Sequence, residues 1–390
     1  EILKGCHYKG GFDTVSIYLR NYPDSHFFAG KGLILGGSHS PSPLNRNAHC
    51  GDLSAVLLQN LNPLVNLIRV PDKKIILMDE WESKIKAIVE STWKADVNSL
   101  SGVPSWMLVL IKAVLQKAGS EYLTDVWPNM EVFFHGGISF EPYRDQYKAL
   151  IPSNRMHYME TYNASEGFFG LQDDPAEHSL LLMIDYGVFY EFIPINEVGR
   201  EHPTVLPLEA VEVGKNYAMV ITTSGGLWRY QIGDTIRFTS LYPHKFVISG
   251  RTKNFINAFG EELMVDNADK AISSVCRQTG AKVKEYTAAP LFMLDKAKGR
   301  HQWMIEFEKM PPSLDDFASL LDKALQQLNS DYEAKRYKEI SLQPLEIQVA
   351  REGTFYEWLR RKGKLGGQHK IPRLSNDRTF IEELEKIYNL

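Results

Sequence analysis

A change of rhythm near residue 180 constrains the fold of this chain more than any other feature. Before it, stretches with helical spacing alternate with short apolar runs. Trp81–Trp93 places Trp81, Ile85, Ile88 and Val89 on one stripe, and Pro104–Ala118 has Pro at its start and Gly119 just past its end. Glu131–Phe134 reads as a buried strand running into His135-Gly-Gly137, and Met156–Thr161 as another strand. Parallel strands need a crossover and a helix supplies it, so this alternation predicts an α/β domain with much parallel sheet. After residue 180, Leu180–Ile184, Val188–Ile193, Tyr217–Thr222, Thr235–Phe238 and Lys245–Ile248 read as strands separated only by turns. That predicts a β-rich, barrel-like unit over about 180–250. From Arg251 helices return, at Leu263–Arg277, Ser313–Asn329, Thr354–Lys362 and Arg378–Tyr388. Strands are expected among them at Val283–Thr287, Trp303–Phe307 and Leu345–Val349. The expected organisation is a large α/β domain over 1–250 and a smaller α+β domain over 251–390, divided in the basic stretch Arg251-Thr-Lys-Asn254.

Four polar, glycine-bearing segments stand out against this background. They are Thr161–Gly170, Trp228–Asp234, Gly250–Glu262 and Gln368–Arg373. Each offers a different chemical tool. In the first, Tyr162 has a ring for stacking on a base, Ser165 a hydroxyl for a phosphate oxygen, and Glu166 a carboxylate suited to Mg²⁺, a hard ion that also holds substrate phosphates. In the second, Asp234 can accept two hydrogen bonds side by side, which suits a ribose diol. Arg229 and Arg251 are cations near it, able to meet phosphate or ribose or to pair with surface carboxylates. Lys370 is a mobile point charge able to reach a phosphate or carboxylate. The Gly136-Gly137 pair after a buried strand lets backbone approach a planar ligand, and equally suits an ordinary tight turn. Ser165-Glu166 also suits a turn with a helix cap, and Asp234 the start of a turn. Together the segments suggest an ATP-using site assembled from distant parts of one chain.

Charge and cysteine content exclude other classes. A net charge of -4 and a pI near 6.3 argue for neither a nucleic-acid nor a membrane-surface partner. The basic run Arg360–Lys364 reads as a solvated helix end. The apolar runs at Trp106–Leu115 and Leu180–Ile195 are interrupted by Lys112 and by Asp185 and Glu191, so neither resembles a membrane span. Cys6, Cys50 and Cys276 are odd in number and far apart, which offers no disulfide framework and points to a reducing, cytoplasmic compartment. His39, His49, Cys50 and Asp52 match no zinc spacing. His369 reads as incidental. Phe168, Phe169 and Trp106 are candidates for an acyl pocket, although aromatics in such runs are most often core.

The set resembles the adenylate-forming superfamily, and within it the Gretchen-Hagen-type acyl-acid amido synthetases. Phe134–Tyr143, Tyr162–Gly170, Gly226–Asp234 and Gly367–Arg373 carry the likeness, while Gly250–Glu262 looks more like the family's bacterial branch than its plant branch. The resemblance implies the adenylate-forming fold and a two-step reaction with ATP and Mg²⁺. A carboxylic acid becomes acyl-AMP, and an amine, such as that of an amino acid, takes the acyl group. It further implies that Gly136 and Gly137 border the adenine and Tyr162 packs on it. Ser165 and Glu166 would face phosphate and Mg²⁺, Asp234 would bind ribose with Arg251 nearby, Lys253 would be the hinge, and Lys370 would assist adenylation. Alternatives are an acyl-CoA ligase with the same first step and a non-catalytic acyl- or nucleotide-binding protein. The family also has a Ser/Thr/Gly-rich phosphate loop, for which Gly36-Gly-Ser-His-Ser40 is the nearest but poor substitute. The chain begins with Glu1, not Met, in what reads as the middle of an element, so we expect a fragment or processed chain whose phosphate loop lies upstream.

Overall fold

The computed structural model describes residues 2–37, 39–41, 49–252, 254–259, 261–292, 299–336, 342–365 and 370–388. Its backbone is a 12-stranded sheet. The strands Lys31–Ile34, Arg69–Val70, Val97–Gly102, Val132–Gly136 and His157–Ala164 pair in parallel. Helices Trp81–Thr92 and Pro104–Ala118 lie in the connections, as parallel pairing requires. Their ends follow local chemistry. The Glu80 side chain accepts from the N–H groups of Glu82 and Ser83, while Gly119 closes the second helix at φ 67°. Trp81 and Trp106 join the two helices edge to face at 4.6 Å.

Beyond His157–Ala164 the same sheet continues in antiparallel sense through Gly167–Leu171, Leu180–Leu182, His244–Arg251, Tyr230–Leu241, Asn216–Thr223 and Val188–Pro194, to Leu206–Pro207 at its edge. The β-rich stretch is therefore hydrogen-bonded to the α/β part and shares its sheet. Alternate side chains fill its core: Phe192 packs on Phe238 at 5.2 Å and on Tyr217 at 6.2 Å, while Phe189 between the inward positions is 61% exposed.

The C-terminal part carries a three-stranded sheet of Lys282–Phe292, Gly299–Lys309 and Glu346–Ala350. Trp303 and Ile305 share a core with helices Val265–Thr279 and Leu314–Leu328. Met304, pointing the other way, belongs to the core that holds Phe355, Trp358 and Leu384 of helices Thr354–Arg361 and Thr379–Tyr388. Arg360 and Arg361 in the last turn of their helix pair with Glu357, the solvated helix end expected.

An N-terminal helical run is the main element the sequence reading lacks. Leu3–Tyr8 is wound as a π-helix and continues as the α-helix Lys9–Asn21. Gly5, Gly10 and Gly11 weaken the helix signal. Gly10 has a packing reason: a Cβ there would lie 2.5 Å from the Phe168 ring, so its absence lets the helix rest on the sheet. Among the described residues, no helix is long and apolar enough to cross a membrane.

Candidate functional site

The site begins where two parallel strands end together. Their register sets His135 beside Glu160 and Gly136 beside Thr161. A Cβ at Gly136 would sit 2.3 Å from the Thr161 carbonyl oxygen, a backbone atom that cannot swing aside. Gly136→Ala is therefore expected to cost roughly 1–3 kcal/mol of stability through overpacking. Thermal unfolding checks it, and an unchanged melting temperature would show that the two strands have room to separate. Gly137 follows at φ 84°. From His157–Ala164 the chain reverses through a two-residue turn, Ser165-Glu166, into Gly167–Leu171. The polar pair thus occupies a hairpin tip, with Ser165 exposed and Glu166 half-buried.

Antiparallel register brings in the next groups. Asp234 lies opposite Arg251, and Arg251 Nε is 2.9 Å from Asp234 Oδ1. The other carboxylate oxygen accepts the Tyr162 hydroxyl at 2.6 Å. A carboxylate has about four acceptor positions, so this arrangement leaves two for a ligand. Tyr162 is only 5% exposed, its ring lying 5.2 Å from Phe169 and 6.1 Å from Phe246, so a small part of it meets the cleft. Burial holds its phenol well above the usual range, Asp234 adds to this and Arg251 opposes it. Arg229, the other cation of this segment, instead pairs with Glu191 at 3.1 Å.

Lys370 approaches from the C-terminal part. Its Nζ and Cε would each be 3.8 Å from a Cβ on Gly137, so the bare glycine leaves space beneath the ammonium. Although Lys370 is exposed, the cleft walls strip water from its ammonium and lower its pKa; Asp234 acts to raise it and Arg251 to lower it. Gly136, Gly137, Tyr162, Ser165, Glu166, Asp234, Arg251 and Lys370 all line one cleft of ≈ 1290 Å³. Lys253 and His369 lie outside the described residues, as do the side chains of His39, His49 and Cys50. Asp52 packs its carboxylate against Gly37. Phe168 and Trp106 line the cleft, whereas Phe169 is fully buried in the core.

The fit of a divalent ion rests on Glu166. Among the described residues, no group of three His, Cys, Asp or Glu side chains is placed to hold a metal. A single carboxylate suits Mg²⁺, which keeps several waters and takes its other ligands from substrate phosphates.

The sequence reading gives no role of their own to two further cleft residues, Glu160 and His135. Glu160 is pushed up to about 7 by burial, with Arg144 opposing and Asp266 adding. Burial and Arg144 push His135 down to about 3, so it is neutral, and its ring stacks on Phe140 at 4.3 Å.

Comparisons with known proteins cover nearly the whole chain. Profiles of the GH3 family match in order: its N-terminal domain over residues 6–156, its central domain over 181–251 and its C-terminal domain over 266–379. The indole-3-acetic acid-amido synthetase GH3.3 of Arabidopsis thaliana is 29% identical over 287 residues, which is 67% of this chain and 46% of that protein. The indole-3-acetic acid-amido synthetase GH3.8 of Oryza sativa subsp. indica is 30% identical over 302 residues, 71% of this chain and 49% of that protein. The chain therefore spans about half the length of these curated relatives. In fold it is similar to the solved GH3.15 acyl acid amido synthetase, with a TM-score of 0.74 at 18% identity over 99% of this chain and 79% of that one. It is also similar to 2-hydroxyisobutyryl-CoA ligase in its postadenylation state, with a TM-score of 0.56 at 13% identity over 93% of this chain and 69% of that one. The fold is that of adenylate-forming enzymes, and the chain belongs to the GH3 family.

Proposed function

We propose that this chain carries the site of an acyl-acid amido synthetase of the family's bacterial branch. In this reading it activates a carboxylic acid with ATP and passes the acyl group to an amine such as that of an amino acid. The observation that supports it best is the meeting of Lys370 with Gly137, Asp234 and Arg251 in one cleft, from parts of the chain far apart in sequence. The acid's carboxylate attacks the α-phosphorus of ATP, an acyl–phosphate bond forms and pyrophosphate leaves. The amine nitrogen then attacks the acyl carbon, AMP leaves and the amine proton is released.

Asp234 would accept the ribose hydroxyls, with Arg251 fixing the carboxylate. Gly136 and Gly137 would border the adenine, and Tyr162 would close the base side. Ser165 would donate to a phosphate oxygen. Glu166 would hold Mg²⁺, which when bound offsets phosphate charge. Lys370 would stabilise charge that develops when two anions meet. We place the domain boundary at 250/251 and the hinge at Lys253, about which the small domain would rotate between the two steps. The cysteine content favours a cytoplasmic setting.

The test is product mass after incubation with MgATP, mixed carboxylic acids, amino acids and CoA. Amide and AMP are expected. Acyl-CoA instead would move the reading to an acyl-CoA ligase, and nucleotide binding without turnover would remove the enzyme.

A further inference from the structure

The stretch that follows Gly137 does more than end a strand. Ser139, Glu141 and Tyr143 meet polar side chains of the small domain. Glu141 meets Arg277 at 3.2 Å, but both are partly exposed and such pairs contribute little. Ser139 faces Asp269. Tyr143, only 4% exposed, accepts a hydrogen bond of 2.8 Å from Arg373 Nη2. Arg373 comes three positions after Lys370.

Arg373 is fixed within the small domain independently of Tyr143. Its Nη1 is 2.9 Å from Glu285, and its guanidinium lies 4.4 Å over the Tyr286 ring. Its carbonyl accepts from the Ala288 N–H at 2.9 Å, and the Pro372 carbonyl accepts from the Thr287 hydroxyl at 2.7 Å. The Lys370 segment is thus tied along the strand Lys282–Phe292 of its own domain at several points, and to the large domain through a buried charge-assisted hydrogen bond.

We infer that Tyr143 and Arg373 are positioning residues for Lys370, setting its ammonium over Gly137 when the small domain is docked as it is here. Neither touches the reacting atoms. The bond links the segment that begins at Gly137 to the segment that carries Lys370, so the two sides of the contact are indexed to each other. Tyr143→Phe keeps the ring and removes one hydrogen bond, and Arg373 retains Glu285 as its partner. Arg373→Lys keeps the charge but loses the fork that reaches both Glu285 and Tyr143.

This inference rests on Lys370 acting in adenylation. Two measurements test it. The first uses ¹³C-methylated lysines: the Lys370 resonance is expected to titrate below the surface lysines in the parent, and to move toward them in Tyr143→Phe and Arg373→Lys. The second uses unmodified protein in single turnover. Both variants are expected to slow acyl-adenylate formation roughly tenfold, with AMP affinity and transfer from supplied acyl-adenylate unchanged. An unmoved Lys370 titration, or equal slowing of both half-reactions, overturns the inference. If the parent forms no acyl-adenylate, the loss falls on the proposed function, and the titration still decides the positioning.

Discussion

Lys370→Ala is expected to slow the proposed acyl-adenylate formation by a factor on the order of 10²–10³, the usual cost of removing a charge contact made in the transition state. Transfer to the amine from supplied acyl-adenylate changes by roughly tenfold or less, because the proposed domain rotation carries the lysine away before that step. The physical reason lies in the place of the ammonium. It stands over Gly137 with Asp234 and Arg251 as its charged neighbours, and in the proposed reaction its positive charge would serve the step in which two anions meet. The amine nucleophile of the second step is neutral and gains nothing from it. Single-turnover assays of each half-reaction check the expectation. Equal slowing of both would make Lys370 a general support of the fold, and the two-orientation assignment would have to be dropped.

Asp234→Ala is expected to weaken AMP or ATP binding by roughly 2–4 kcal/mol, the loss of two proposed hydrogen bonds to a charged acceptor. The geometry adds a consequence. Asp234 also accepts the Tyr162 hydroxyl at 2.6 Å and pairs with Arg251 at 2.9 Å, so alanine would strand a buried phenol as well as remove the proposed ribose contact. Asp234→Asn separates the two effects: it keeps the shape and a hydrogen-bond partner for Tyr162 but lacks the charge and half the acceptors. Calorimetric titration with AMP, beside a melting curve for each variant, makes the measurement. Undiminished affinity in the alanine variant would remove Asp234 from the nucleotide site.

The sequence was most legible where structure is local. Pro104–Ala118 occupies the residues its pattern marked, because an apolar stripe, an N-terminal Pro and a C-terminal Gly all act within a few positions. The strand Val132–Gly136 and its glycine turn were likewise readable. The first helix was not, because Gly10 answers to Phe168, a partner 158 positions away that no local pattern contains. The hairpin at Ser165-Glu166 was missed for a related reason. Met156–Thr161 read as a strand, but that Gly167–Leu171 returns beside it depends on cross-strand pairing. The polar segments announced chemical tools. Tyr143 ends the stretch Phe134–Tyr143 and Arg373 ends the segment Gln368–Arg373, yet nothing in the spacing joined them.

What the sequence determined by itself is the succession of helices and strands, the caps that end them and the inventory of carboxylates, cations and glycines, since each depends on neighbours three or four places away or on simple alternation. Tertiary structure alone decided which of these meet. The register of two antiparallel strands sets Asp234 against Arg251, and the docking of the small domain brings Arg373 to Tyr143 across 230 positions of chain. Such contacts arise from burying apolar surface between layers, and that burial is indifferent to distance along the chain. The polar side chains at the edges of those layers are carried together by it, and the cleft is where they meet.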